Sequence, residues 1–167
     1  MSSVRREVIV EAAADRAFRV FTEKMDTWWP PEHHIGKIPM KNIVLDRRNN
    51  GDWYEVGTDG SRCDWGRVLI WDPPRRVVLT WQLTAEWQYD KAFITEVEIN
   101  FTPLAEGRTR VALEHRNLER YGAKEADIIK SVGSEGGWTL TLQRFAAAAS
   151  LRNADTDAAV KTISPAT

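Results

Sequence analysis

Two spacings of apolar residues organise this chain. Near its C-terminal end Trp138, Thr141, Leu142, Phe145 and Ala149 recur at steps of three and four, which predicts a helix over 134–150 with one apolar stripe. Ser134 stands where an N-cap belongs, and the run Ala146 to Ala149 has the highest intrinsic helix propensity. Gly136 and Gly137 in the first turn are costly for a helix and point to a tight approach of another backbone. A second helical pattern runs from 15 to 24, with Ala17, Phe18 and Phe21 on one face. Pro30 and Pro31 disfavour helical geometry before them, so Trp28 and Trp29 belong at or near the end of a further short helix. Residues 124–132 carry one more.

Elsewhere the period is two. Strands are predicted over 4–10, 42–48, 52–57, 62–71, 75–83, 92–102 and 108–115. Asn49-Asn50-Gly51 and Thr58-Asp59-Gly60-Ser61 supply turns between them, and 84–91 is a loop or flared hairpin end. Short connections make neighbouring strands antiparallel. The fold class is therefore α+β: a curved antiparallel sheet of about seven strands wrapped around a long C-terminal helix, with one or two short helices after the first strand.

Parity then assigns faces. Val97, Ile99 and Phe101 share one side, as do Thr109, Val111, Leu113 and His115, and Val77, Leu79, Trp81 and Leu83. These rows form one apolar surface for the helix stripe. Trp53 and Glu55 share a side, and Cys63, Trp65, Arg67, Leu69 and Trp71 alternate in a single row. Trp53 and Trp65 are expected to face inward, because bulky aromatics in mid-strand seek cover.

Composition narrows the class. A chain of 167 residues suits one domain over 1–150, followed by a tail over 151–167 that loses periodicity and reads as disordered. A net charge of −1 gives no electrostatic footprint for nucleic acid. The three-residue apolar run near the N-terminus is too short for a signal peptide or a membrane span. The lone Cys63 fits a reducing, cytoplasmic setting. Eight tryptophans change the picture most, since each is large and carries an N–H that wants a partner, which suggests a wide core or a lined cavity.

The order of elements, with Val10-Glu-Ala-Ala-Ala-Asp-Arg-Ala-Phe18, the stretch from Gly51 to Gly60, Cys63-Asp-Trp-Gly-Arg-Val68 and the stretch from Trp71 to Trp81, resembles one branch of the SRPBCC (START/Bet v-like) superfamily. Phe101-Thr-Pro, Leu113-Glu-His115 and Gly136-Gly-Trp138 continue the match. That branch is related to the C-terminal domain of the heat-shock-protein-90 ATPase activator. The resemblance covers nearly all of residues 4 to 150 and implies a helix-grip fold with a deep cavity between the sheet and the long helix. It does not imply one activity, because the superfamily includes lipid carriers, hormone receptors, aromatic cyclases and co-chaperone domains.

The expected function is binding of a small hydrophobic molecule, aromatic or acyl, in that cavity. Walls would come from Trp53, Trp65, Trp81, Val97, Ile99 and Leu113, the lid from Trp138, Leu142 and Phe145, and the mouth from Trp28 and Trp29. His115 is either a cavity acid–base group or a histidine satisfied at the end of the sheet. Glu55 and Arg67 either pair inside the cavity or pair across strands on the outer face, and Glu55 is, with His115, the candidate for any acid–base catalysis on an enclosed ligand. Glu32-His33-His34 places two histidines side by side on an irregular loop, a poor chelating arrangement, so no metal and no cofactor is expected. Cys63 reads as a structural thiol. The alternatives are a co-chaperone-like interaction module with a chaperone partner and a cyclase- or hydrolase-like enzyme using the same cavity. A homodimer is compatible with either.

Overall fold

The computed structural model describes residues 2–150, so the predicted disordered tail lies outside the described residues. Strand β1 (Ser3–Val10) leads into helix α1 (Ala14–Glu23) and the single-turn helix α2 (Met25–Trp28). Strands β2 (Met40–Leu45), β3 (Asp52–Gly57), β4 (Arg62–Asp72), β5 (Arg76–Trp81), β6 (Thr95–Ala105) and β7 (Arg108–Arg116) follow. A 3₁₀ segment (Leu118–Lys124), helix α3 (Glu125–Val132) and a π-helical turn (Glu135–Thr139) then lead into helix α4, residues 140–150. All seven strands join one antiparallel sheet in the order β1-β7-β6-β5-β4-β3-β2. The first strand thus pairs with the last, and α1 and α2 carry the chain to the opposite edge. Among the described residues no helix is long and apolar enough to cross a membrane.

The period-two rows on β6 and β7 behave as their alternation dictates. Val97, Ile99, Phe101, Thr109, Val111, Leu113 and His115 are all at most 2% exposed and face the stripe of α4, where Leu142, Phe145 and Ala149 are equally covered. Strand β5 is covered on both faces, since Val78 and Thr80 are buried along with Val77, Leu79 and Trp81, and Gln82 just beyond it is buried too. Polar ties fix α4 in place. Arg144 donates to the Trp28 carbonyl, Arg16 to the Ala149 carbonyl, and Arg6 to both Gly133 O and Thr139 Oγ1.

Strand β4 departs from simple alternation. The β3–β4 register slips between Trp53 and Tyr54, where Trp53 faces Gly66 but Tyr54 faces Asp64, and the β4–β5 register slips again between Val68 and Ile70. Each bulge inserts one residue and reverses inside and outside. Trp65 and Val68 therefore point inward, whereas Leu69 is 45% exposed and Arg67 reaches Asp52 on the outer face. The single row predicted from Cys63 to Trp71 is split. At Gly66 an added Cβ would lie 1.9 Å from the Thr80 carbonyl oxygen, so the first bulge requires a residue without a side chain.

Strand β2 ends at Leu45, three residues short of the predicted end, because the chain beyond it is drawn to β4. Asn50 N–H donates to Val68 O, and Asn49 accepts from Trp71 N–H. The start of the C-terminal helical region also differs in detail. The Ser134 hydroxyl donates back to Ser131 O and does not cap the helix, and the tight approach falls at Gly137 alone. A Cβ on Gly137 would lie 2.4 Å from Val132 O, while Gly136 has open space around it.

Candidate functional site

The space between sheet and helices is divided in two. Its inner end is closed by edge-on aromatic packing: Phe145 meets Phe21 at 5.1 Å and Trp28 at 5.2 Å, and Phe18 meets Phe101 at 5.1 Å. Trp28 is 1% exposed and its indole N–H donates to Val20 O, so it is core and not the predicted mouth. Trp53, Val97, Ile99, Leu113, Leu142 and Phe145, expected as walls and lid, are likewise packed in this interior and do not border the cavity at the outer end.

The outer end remains open as a cavity of about 430 Å³. Its aromatic side is Trp29, Trp65, Trp81 and Trp138, with the exposed Trp87 at the rim. The other side is the loop Glu32 to Ile35 and the connection around Ser131, Ser134 and Gly136. The four inner indoles pack on one another, with Trp29 lying 5.2 Å from Trp65 and 5.7 Å from Trp138, and Trp81 5.5 Å from Trp138. Among the described residues no lysine or arginine contributes to the lining.

Two buried polar groups hold these walls in position. His115 is fully buried beside Trp81 and Trp138 and does not line the cavity. Trp138 Nε1–H donates to its Nδ1 at 3.2 Å, and because an indole nitrogen only donates, Nδ1 must be the accepting, unprotonated nitrogen. Nε2–H then donates to Thr95 Oγ1 at 2.9 Å, and the Thr95 hydroxyl donates to Trp81 O. Burial pushes the His115 pKa down to about 3. His115 is therefore a neutral histidine satisfied at the end of the sheet, and it orients Trp138.

Glu55 is the second group. Parity with Trp53 and the bulge beside it carry this carboxylate inside, where it is 1% exposed, while Arg67 stays outside. Neither predicted Glu55–Arg67 pairing forms; Arg67 donates to Asn50 O and contacts Asp52. Glu55 Oε1 accepts from Trp65 Nε1–H at 2.8 Å and Ile35 N–H at 2.7 Å, and Oε2 accepts from Gly36 N–H at 3.0 Å. It thus fixes one wall tryptophan and fastens the 32–36 loop over the sheet. The loop is also held by Trp29 Nε1–H, which donates to His33 O. A Cβ on Gly36 would lie 2.9 Å from Glu55 Oε2, so close approach is built in. Within this network His34 Nδ1 is buried, unpartnered and 3.8 Å from Glu55 Oε2.

Cys63 is half-buried near Gly36, and burial, followed by the Glu55 charge, raises its thiol pKa, which disfavours a nucleophilic thiolate. Trp81 Nε1 is buried without a close hydrogen-bond partner; the Tyr121 hydroxyl lies toward it, already donates to Leu83 O, and has its pKa pushed up to about 12 by burial.

Residues 11–150 match the model of the family described as activator of Hsp90 ATPase homolog 1-like protein. Among solved structures, the chain is 37% identical to the anthrahydroquino-γ-pyrone synthase Txn09, covering 87% of this chain and 96% of that one with a TM-score of 0.62. It is 29% identical to the self-sacrificing resistance protein CalC from Micromonospora echinospora, over 90% and 95% of the two chains, with a TM-score of 0.69. The Aha1 dimer from Colwellia psychrerythraea shares the fold at 16% identity, over 90% and 97% of the chains, with a TM-score of 0.60. Among curated proteins none matches the chain.

Proposed function

Because the chain belongs to the activator of Hsp90 ATPase homolog 1-like family, we propose that it binds a small, flat hydrophobic molecule in the outer cavity, as a cytoplasmic protein. The observation that carries this reading is the combination of a space of about 430 Å³, four indole walls and, among the described residues, no lysine or arginine in the lining. Small-molecule sites run from roughly 300 to 1,000 Å³ and are lined by aromatics with a few placed polar groups. Indole walls favour a polycyclic aromatic over an acyl chain, because ring faces and edges stack with defined geometry. The absence of Lys or Arg disfavours a fatty acid or phosphate ester, whose charge would be desolvated without a partner. The synthase among the structural neighbours, named for an anthrahydroquino-γ-pyrone, favours the same ligand class and admits cyclase-like chemistry in this cavity.

Titration with a hydroxyanthraquinone and with decanoate, followed by tryptophan fluorescence and native mass spectrometry, tests the reading. Saturable quenching and a one-to-one adduct are expected with the anthraquinone, weakened in Trp138→Ala, and little response to decanoate. An unchanged spectrum and no adduct with a panel of polycyclic aromatics would remove the binding function.

A further inference from the structure

Glu55 has room for one more donor, and the cavity wall holds a group that needs an acceptor. A carboxylate offers about four lone-pair sites. Trp65 Nε1–H and Ile35 N–H occupy both on Oε1, and Gly36 N–H occupies one on Oε2. The remaining site on Oε2 faces His34 Nδ1 at 3.8 Å, a buried nitrogen with no hydrogen-bond partner among the described residues. That separation is too long for a hydrogen bond, but apo sites often show such contacts, which tighten when a ligand compresses the loop. The His34 side chain is 24% exposed and lines the cavity. Since Nδ1 is the buried nitrogen, its exposure lies on the opposite side of the ring, which carries Nε2.

We propose that His34 is the proton-accepting group of the cavity, that Glu55 is its positioning residue, and that the ligand class is an aromatic or enolic molecule with an acidic hydroxyl. The proposal rests on the ligand-binding reading above. Nδ1–H donates to Glu55 Oε2, which fixes that tautomer and so leaves the lone pair on Nε2, directed away from the carboxylate. The ligand O–H bond breaks, its proton moves to Nε2, and its electron pair stays on the ligand as a phenolate or enolate. The imidazolium formed is stabilised by Glu55, and the aromatic walls keep the anion stacked. His33, also in the lining, has no such carboxylate contact among the described residues. His115 has both nitrogens engaged and cannot serve.

The test uses alizarin, whose absorption distinguishes phenol from phenolate, at a pH where the free dye is phenolic. Wild type is expected to bind it as phenolate. His34→Gln should still quench tryptophan fluorescence but hold the dye as phenol. Phenolate retained in His34→Gln, or phenol in wild type, overturns the proposal. Failure of the dye to quench any protein counts against the ligand-binding reading instead. In that event the ligand-free protein decides, because long-range ¹H–¹⁵N spectra of wild type should show His34 as the Nδ1–H tautomer, with that preference lost in Glu55→Gln. An Nε2–H tautomer in wild type overturns the proposal without any ligand.

Discussion

Thr95→Val isolates the buried chain that orients Trp138. Thr95 is fully buried and its hydroxyl does two things, accepting from His115 Nε2–H at 2.9 Å and donating to Trp81 O at 3.0 Å. Valine keeps the shape, so no cavity is created. The histidine N–H is left without an acceptor, which costs about 1–3 kcal/mol for a buried donor, and the lost bond to the carbonyl adds about 1 kcal/mol. The expected loss is about 2–4 kcal/mol in urea unfolding followed by tryptophan fluorescence, with an unchanged m value because the same surface is exposed. Thr109→Val is the matched control. Its hydroxyl makes one bond, to Ala12 O at 2.8 Å, and is equally buried, so about 1 kcal/mol is expected. If Thr95→Val costs no more than Thr109→Val, the relay does not exist as described.

Three further perturbations follow from the same structure. With the His115 pKa near 3 when folded and near 6.5 when unfolded, the unfolded state takes up the proton, so the stabilisation is complete above about pH 6.5 and is lost as pH falls, by about 1.4 kcal/mol per unit. The loss from pH 6.5 to 5 should be about 2 kcal/mol larger in wild type than in His115→Gln, and equal slopes would refute the assignment. Gly137→Ala must push a Cβ against Val132 O at 2.4 Å and should cost more than about 2 kcal/mol, whereas Gly136→Ala, in open space, should stay within about 0.5 kcal/mol; thermal melts that rank them otherwise refute the close approach. Glu55→Ala strands three N–H groups and should cost about 3 kcal/mol, with amide exchange at Ile35 and Gly36 accelerated at least about tenfold; protection retained at both amides would show that Glu55 does not hold the loop.

Rows of strict alternation, such as Val97 to Phe101 and Thr109 to His115, were legible because one face of their strands is buried and the other is not. Strand β4 was not, since a bulge leaves no alternation signal; Gly66 beside Trp65 was the one available mark. Glu55 stayed open between inside and outside for a related reason: a carboxylate in a strand reads as outward, whereas the parity it shares with Trp53 reads as inward. The aromatic content correctly suggested a lined space, but periodicity cannot say which indoles fill it and which border it. Trp28 and Trp29 are adjacent in sequence, yet one plugs the interior and the other lines the opening. The loop bearing His34 was the least legible part, as its position is set by hydrogen bonds to a side chain 20 residues away in sequence.

Seven of the eight tryptophans form one connected network: Trp28 meets Trp29, Trp29 meets Trp53, Trp65 and Trp138, and Trp138 meets Trp81, which meets Trp87, with linked ring centres no more than 6.5 Å apart. Optically, they act as one antenna and not as seven dyes. Excitation absorbed deep in the core migrates to whichever indole emits or is quenched, so a guest seated against any one ring darkens the whole set. The same coupling should give an exciton couplet in circular dichroism, a signature of tertiary packing that vanishes on unfolding, while Trp71, which meets Phe18 edge-on and no other tryptophan among the described residues, contributes nothing to it.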